Sequence, residues 1–341
     1  MRETELLADR LKRNGAISNL AIRVGKFGDR IGEVYSDGVD SQTLFDLASV
    51  TKIMATTTLV LIAIDRKRLD VTDKVSKFFA VPEWYKDLTV FNLLTHTMGL
   101  GSRDLTGKGN TYDTIAESIL SIKGNAVGER VEYSCPAFIL LGKIIEKIYG
   151  ERLDALFRNM VAAPLGLKSS GFLPDKSKHS IVNSNMDENK RGIVNDYNCQ
   201  FLGGVAGNAG LFSNMDDLTV YADMLLSGGG KLFSRSVLDM ASRNYTAGMG
   251  QARGLGFLVV DENYRQTGTL FPTGSIGHCG HTGVSLFLNR ESGLYAIILS
   301  DATVSTVRKY GKENYDEVMQ MREKLHDAIR NDLWNRGWKS C

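Results

Sequence analysis

Cysteine and proline are scarce in this chain of 341 residues, with four of the first and five of the second. Cys135, Cys199, Cys279 and Cys341 stand far apart, without the spacing of a disulfide framework, so they read as free thiols in a reducing compartment. An excess of one charge is missing too: 41 basic residues meet 39 acidic ones, a formal net charge of +2. No basic block or aromatic-interleaved Lys/Arg stripe occurs, which argues against a nucleic-acid partner. The start of the chain lacks an apolar stretch of the secretory kind, roughly 7–15 residues long. Residues 1–15 read instead as a short charged amphipathic helix, and the expectation is a cytoplasmic protein with no membrane partner. Neither internal repeats nor low-complexity segments occur. What is present is 43% apolar content, enough to bury a full core in one large domain or two interleaved lobes.

The stretch Phe45-Asp46-Leu47-Ala48-Ser49-Val50-Thr51-Lys52-Ile53-Met54 places a hydroxyl and an amine one turn apart where a helix begins. Residues three apart share a helix face, so Lys52 can point at Ser49. If desolvated, Lys52 would hold a neutral amine able to take the hydroxyl proton. The residues that follow, Leu59 to Ile64, are apolar on nearly every side and mark a buried helix. By itself Ser49 also reads as an ordinary N-cap.

Alternation makes strands of Leu20 to Gly25 and Arg30 to Tyr35, with Gly28-Asp29 as the hairpin turn between them. Beyond the central helix, Thr89 caps a short helix leading to Thr95-His96-Thr97, where His96 reads as a buried hydrogen-bonding residue. A loop then carries Tyr133-Ser134-Cys135, and Pro136 starts a helix that Gly150 closes. Residues 152–243 are mostly helical with glycine interruptions. Strands return at Gly256 to Val260, Val284 to Leu288 and Leu294 to Leu299, and a charged helix from about Glu313 to Trp338 ends the chain. Strands at both ends with helices between predict an α+β fold, an antiparallel sheet from both termini carrying an inserted helical lobe. The sheet lobe would take residues 1–48 and 254–341 and the helical lobe residues 49–253, within one domain.

Three motifs in this order, Ser49-Val50-Thr51-Lys52, Tyr133-Ser134-Cys135 and His281-Thr282-Gly283, resemble those of the serine β-lactamase and penicillin-binding-protein superfamily. The similarity is greatest to its branch of class C β-lactamases, DD-peptidases and family VIII esterases. Leu93 to Leu100, Leu140 to Glu146, Ala163 to Leu167 and Gly203 to Gly207 also look like that branch. The resemblance implies an α/β sandwich and a hydrolase in which Ser49 becomes acylated, with Lys52 and Tyr133 moving the proton. It implies that Val284 supplies an oxyanion-hole N–H together with Ser49, and that His281, Thr282 and Gly283 line the substrate channel. Tyrosine suits the role if nearby cations, Lys52 first, lower its pKa. No cofactor is called for.

The chain departs from the pattern at Cys135, where many relatives carry asparagine to grip the substrate amide. A thiol hydrogen-bonds weakly, which favours esters or unusual amides over β-lactams and peptides. His281 replaces a lysine of many members. A Gly-x-Ser-x-Gly elbow is absent, which argues against an α/β-hydrolase, and missing Ser-Asp-Asn and Glu-x-x-Leu-Asn elements disfavour a class A β-lactamase. The expected function is therefore an esterase or D-amino-acid-type peptidase or amidase with weak β-lactamase activity, acting on a small ester, peptide or β-lactam. Two alternatives stand beside it. One is a non-catalytic penicillin-recognising sensor; the other is a metal-dependent hydrolase built on His278 and His281, disfavoured because residues three apart on a strand face opposite ways. Oligomeric state stays open.

Overall fold

Leu20, Ile22 and Val24 point to one side of the first strand and Ala21 and Arg23 to the other, the period of two that a sheet buried on both faces requires. The computed structural model describes residues 1–107 and 114–338, so Cys341 lies outside the described residues. Strand β1 (Leu20–Lys26) pairs with β2 (Asp29–Tyr35) across the turn at Gly28, whose φ of +72° suits glycine. Three short strands, β3 (Phe45–Asp46), β4 (Gly171–Phe172) and β5 (Leu211–Ser213), form a separate antiparallel sheet in the order β3-β5-β4. The last third of the chain adds β6 (Leu258–Val259), β7 (Ile276–Cys279), β8 (Ser285–Asn289) and β9 (Leu294–Ser300). These join the hairpin in a six-stranded antiparallel sheet of order β2-β1-β9-β8-β7-β6.

Strand β9 shows how the sheet divides two cores. Leu294, Ala296 and Ile298 pack with Leu11, Val318, Met321 and Leu325 of the terminal helices, whereas Tyr295, Ile297 and Leu299 join the larger core under the helical part. The helices Arg2–Arg13 and Tyr315–Asn335 cover the first face together. Asp332 accepts from the backbone N–H of Glu3 (3.0 Å) and of Thr4 (2.9 Å), amides at a helix start that have no carbonyl a turn back. On the opposite face, buried Arg23 donates to Glu33 (2.6 Å) and Asp216 (2.8 Å) and so ties β1 to the helix Met215–Leu226.

The apolar central helix is buried, as its composition requires. It runs through a π-helical segment, Lys52–Thr57, before becoming α-helical over Thr58–Asp65. Elsewhere the sequence reading needs adjustment. The strand expected from Gly256 shrinks to two residues, Leu258–Val259, because Gly256 adopts a φ of +83° against the Thr57 side chain. His281, Thr282 and Gly283 form the turn between β7 and β8, with Gly283 N–H donating to Gly280 C=O at 3.1 Å. The result is an α+β architecture, with the cleft between the β7 edge and the start of the central helix.

Candidate active site

The turn before Ser49 is held from below. Asp46, at the end of β3, accepts from Ala48 N–H (2.9 Å) through one oxygen and from Asn195 N–H (2.6 Å) and Ser184 Oγ (3.2 Å) through the other. Ala48 takes a φ of +44°, a conformation costly for a residue with a Cβ and kept only where the surroundings enforce it. The helix then starts, and Lys52 comes round one turn later with Nζ 2.9 Å from Ser49 Oγ. The same ammonium donates to Asn208 C=O at 2.9 Å and lies 3.5 Å from Cys135 Sγ. Lys52 is fully buried. Burial works to lower its pKa, but Cys135 and Tyr133 beside it outweigh that, and the net direction is upward. The neutral amine expected from desolvation is therefore not the resting form of Lys52.

Tyr133 is pinned on both sides. Ser102 N–H donates to its carbonyl (2.8 Å), and the next residue, Ser134, caps the helix Cys135–Tyr149 by accepting from Ala137 N–H (3.1 Å). Ser134 N–H in turn donates to His96 Nδ1 at 2.9 Å, with the His96 ring 4.8 Å from that of Tyr133. Burial first, then the charges of Arg253 and Lys52, push the pKa of His96 well down, so the imidazole is neutral and free to accept. These supports leave the Tyr133 hydroxyl 2.6 Å from Ser49 Oγ. Its pKa is pushed up to about 12, because burial exceeds the pull of Lys52. The expected lowering by a nearby cation is present and is overridden.

The third motif is placed differently from the sequence expectation. Of His281, Thr282, Gly283 and Val284, only His281 lines the cleft. Its side chain is 42% exposed, its Nε2 lies 3.2 Å from Glu313 Oε2, and its ring stacks on Tyr315. Thr282 turns inward to donate to Asp46 C=O (3.0 Å), while Gly283 packs against Ser300 and Ala302. Val284 sits in the large core, and its carbonyl accepts from Gly280 N–H (2.8 Å), so it does not face the cleft. The residues of β7 take the place expected of that motif. His278 lies with its ring 6.1 Å from Tyr133, buried and held neutral by burial and by the charge of Arg253. Gly280 follows, and a Cβ there would come within 2.6 Å of Leu47 C=O, so only glycine lets the strand approach the nucleophile turn this closely. The sequence contains two successive His-x-Gly triplets, and the earlier one, His278-Cys279-Gly280, is the one beside Tyr133.

Ser49, Tyr133, His278, His281 and, unforeseen in the sequence, Arg253 line a cleft of about 320 Å³. Cys135 stays behind it, against Lys52 and 9% exposed. A larger hollow of about 540 Å³ opens beside Asp216 and Asp223, but it shares no lining residue with the serine cleft and holds no nucleophile with a base beside it. Among the described residues, no three or more His, Cys, Asp or Glu side chains gather to hold a metal ion, and no helix is long and apolar enough to cross a membrane.

Known proteins resemble the chain over most of its length. The family model described as Beta-lactamase matches residues 6–320. A protein of Escherichia coli (strain K12) named "Putative D-alanyl-D-alanine carboxypeptidase" is 29% identical over 315 residues, covering 78% of this chain and 70% of its own. Among solved structures, the octameric penicillin-binding protein homologue from Pyrococcus abyssi superposes with a TM-score of 0.70 at 19% identity, covering 98% of this chain and 81% of that one. EstCE1, described as a hydrolase with promiscuous acyltransferase activity, superposes with a TM-score of 0.75 at 19% identity, covering 95% and 98%. At these identities the solved structures speak for the fold.

Proposed function

Because the chain belongs to the β-lactamase family and is a serine hydrolase, we propose that Ser49 attacks the carbonyl of a small ester or D-amino-acid amide and carries the acyl group until water releases it. One observation supports this above all: Ser49 Oγ lies within hydrogen-bond reach of both Lys52 Nζ (2.9 Å) and the Tyr133 hydroxyl (2.6 Å) at an open cleft. Loss of one proton from the Lys52–Tyr133 pair creates the base. The pair then takes the Ser49 proton as the Oγ–carbonyl bond forms and the carbonyl electrons move to oxygen. The oxyanion is received by Ser49 N–H, at the helix start, and by the N–H of His281, the first residue past Gly280. This replaces Val284, which faces the core. Collapse breaks the bond to the leaving oxygen or nitrogen, Tyr133 returns the proton to it, and water enters by the same route in reverse.

Cys135 favours esters in this reading. Its thiol rests on Lys52 and offers no amide to a peptide substrate, so peptide and β-lactam turnover is expected to be weak. Mixing the enzyme with 4-nitrophenyl butyrate and weighing the intact protein should show an acyl adduct that Ser49→Ala lacks. No adduct with that ester, with a penicillin or with a D-Ala-D-Ala peptide would overturn the proposal. An adduct that persists for hours without turnover would instead point to the sensor role.

A further inference from the structure

The hollow of about 540 Å³ beside Asp216 and Asp223 lies between the β1–β2 hairpin and the helix Met215–Leu226, and an unmatched hydroxyl lines it. Tyr295, on β9, is fully buried, and among the described residues its Oη has no hydrogen-bond partner. The sheet makes room for this phenol. Strand β1 shifts register between Val24 and Gly25, and a Cβ on Gly25 would collide with the Tyr295 hydroxyl. A buried hydroxyl without a partner costs stability, so a place shaped to hold one calls for a ligand. Four aspartates line the same hollow, and two are already engaged. Asp217 accepts from the N–H groups of Lys168 (3.0 Å), Ser169 (2.8 Å) and Ser170 (2.7 Å), while Asp216 pairs with Arg23 (2.8 Å) and Arg30 (3.5 Å). Asp223 has the N–H of Gly28, at 3.1 Å, and Asp29 is the next residue of that hairpin. Neither Asp223 nor Asp29 meets a cation at ion-pair distance among the described residues. Burial raises the Asp223 carboxyl, and burial followed by the Asp223 charge raises the Tyr295 phenol.

The geometry points to a second binding site in this hollow, for a short aliphatic diamine: one ammonium donates to Asp223 and to Tyr295 Oη, the carbon chain lies on Val220, and the second ammonium meets Asp29. An ammonium has three donors and no acceptor, which suits a carboxylate and a phenol oxygen together. Val220 is 39% exposed and supplies the apolar strip. A metal ion fits less well, because among the described residues no three carboxylates gather to hold one. The cations at the hollow leave the position open, since Arg30 is engaged with Asp216 and the exposed Lys168 is paired with neither Asp223 nor Asp29. The site shares no residue with the serine cleft and does not depend on the acyl-enzyme reading.

Calorimetric titration of the full chain with 1,4-diaminobutane, at neutral pH and about 0.15 M salt so that distant surface charges are screened, should show one saturable site. The thermal midpoint should rise with the diamine concentration. Asp223→Asn should weaken binding by at least ~10-fold, as loss of a charge-assisted hydrogen bond would. Tyr295→Phe separates a ligand-binding hydroxyl from a structural one. Because the hydroxyl has no partner without the diamine, removing it should leave the unliganded midpoint unchanged or higher while cutting affinity by ~5-fold or more. A lower midpoint in Tyr295→Phe would show the hydroxyl to be structural and would overturn the assignment. Should Asp223→Asn not fold, three further ligands on wild type decide. n-Butylamine, standing for a lysine side chain, should bind more weakly than the diamine, and butane-1,4-diol and magnesium ion should not bind. No binding of the diamine, equal binding of any of those three, or diamine binding unaltered in both variants sinks the site.

Discussion

Ser49 Oγ faces two protonated neighbours at neutral pH. Lys52 is held above its ordinary value despite burial, and Tyr133 is raised to about 12 chiefly by burial. A base works only when deprotonated, so raised values mean that more base is available as pH climbs. With a neutral ester, kcat/KM should therefore rise steadily through pH ~8–10 rather than level off near neutrality. A plateau beginning below pH ~7.5 would mean that a group of lower pKa carries the proton. Removing the phenol tests the same point: Tyr133→Phe should lower kcat by roughly 10²–10⁴-fold while leaving the thermal midpoint nearly unchanged. The buried imidazoles are not candidates for the base. His96 is committed to Ser134 N–H, and a proton on either His96 or His278 is opposed by burial and by the charge of Arg253.

At the scale of elements, the site depends on how closely β7 and its turn approach the start of the central helix. A methyl group at position 280 would meet Val284 Cγ2 at 2.4 Å and Leu47 C=O at 2.6 Å, the second being backbone that cannot yield alone. Gly280→Ala should cost about 1–3 kcal/mol of stability. It should also reduce kcat, because the strand and the nucleophile turn would be forced apart; urea melts and ester kinetics check both. The turn is braced from the other side by the helix Tyr315–Asn335. Its fully buried Arg322 donates to Gly280 C=O (2.9 Å) and Val284 C=O (3.3 Å) and reaches the Tyr315 hydroxyl (3.1 Å). Arg322→Met would remove this side-chain donor and leave the two carbonyls only the bonds of the turn itself, from Gly283 N–H and Gly280 N–H. A loss of about 1–3 kcal/mol is expected, read as a lower urea midpoint, and a variant as stable as wild type would show that the brace is not needed.

For the molecule as a whole, one buried carboxylate links stability to pH. Asp46 is raised from 3.8 to about 6, with burial outweighing the hydrogen bonds from Asn195, Ala48 and Ser184. The folded chain thus holds this proton more tightly than the unfolded chain. The resulting stabilisation is complete below the unfolded value, shrinks as pH rises through about 6 and is gone above it. Measured against Asp46→Asn, which cannot titrate, wild-type stability should fall between pH ~4 and ~6. Parallel curves for the two proteins would contradict the assignment.

Local patterns along the chain were enough for several elements. Alternating apolar residues marked β1 and β2, runs of strand-forming residues marked β8 and β9, and three-residue spacing put Lys52 over Ser49. Pro136 and Gly150 bounded the helix after Tyr133. Such features depend on neighbours within a few positions, so they can be read before the chain folds. The three-stranded sheet was not legible, because β3, β4 and β5 are each two or three residues long and find their partners only across the fold. The choice between two His-x-Gly triplets was likewise made in three dimensions, where Gly280 passes Leu47 and Thr282 is drawn back to Asp46. Charge states followed the same division. The residue types of Lys52, Tyr133, Asp46 and Arg253 were written in the sequence, but the proton each holds depends on how much water and which partners the folded chain leaves around it.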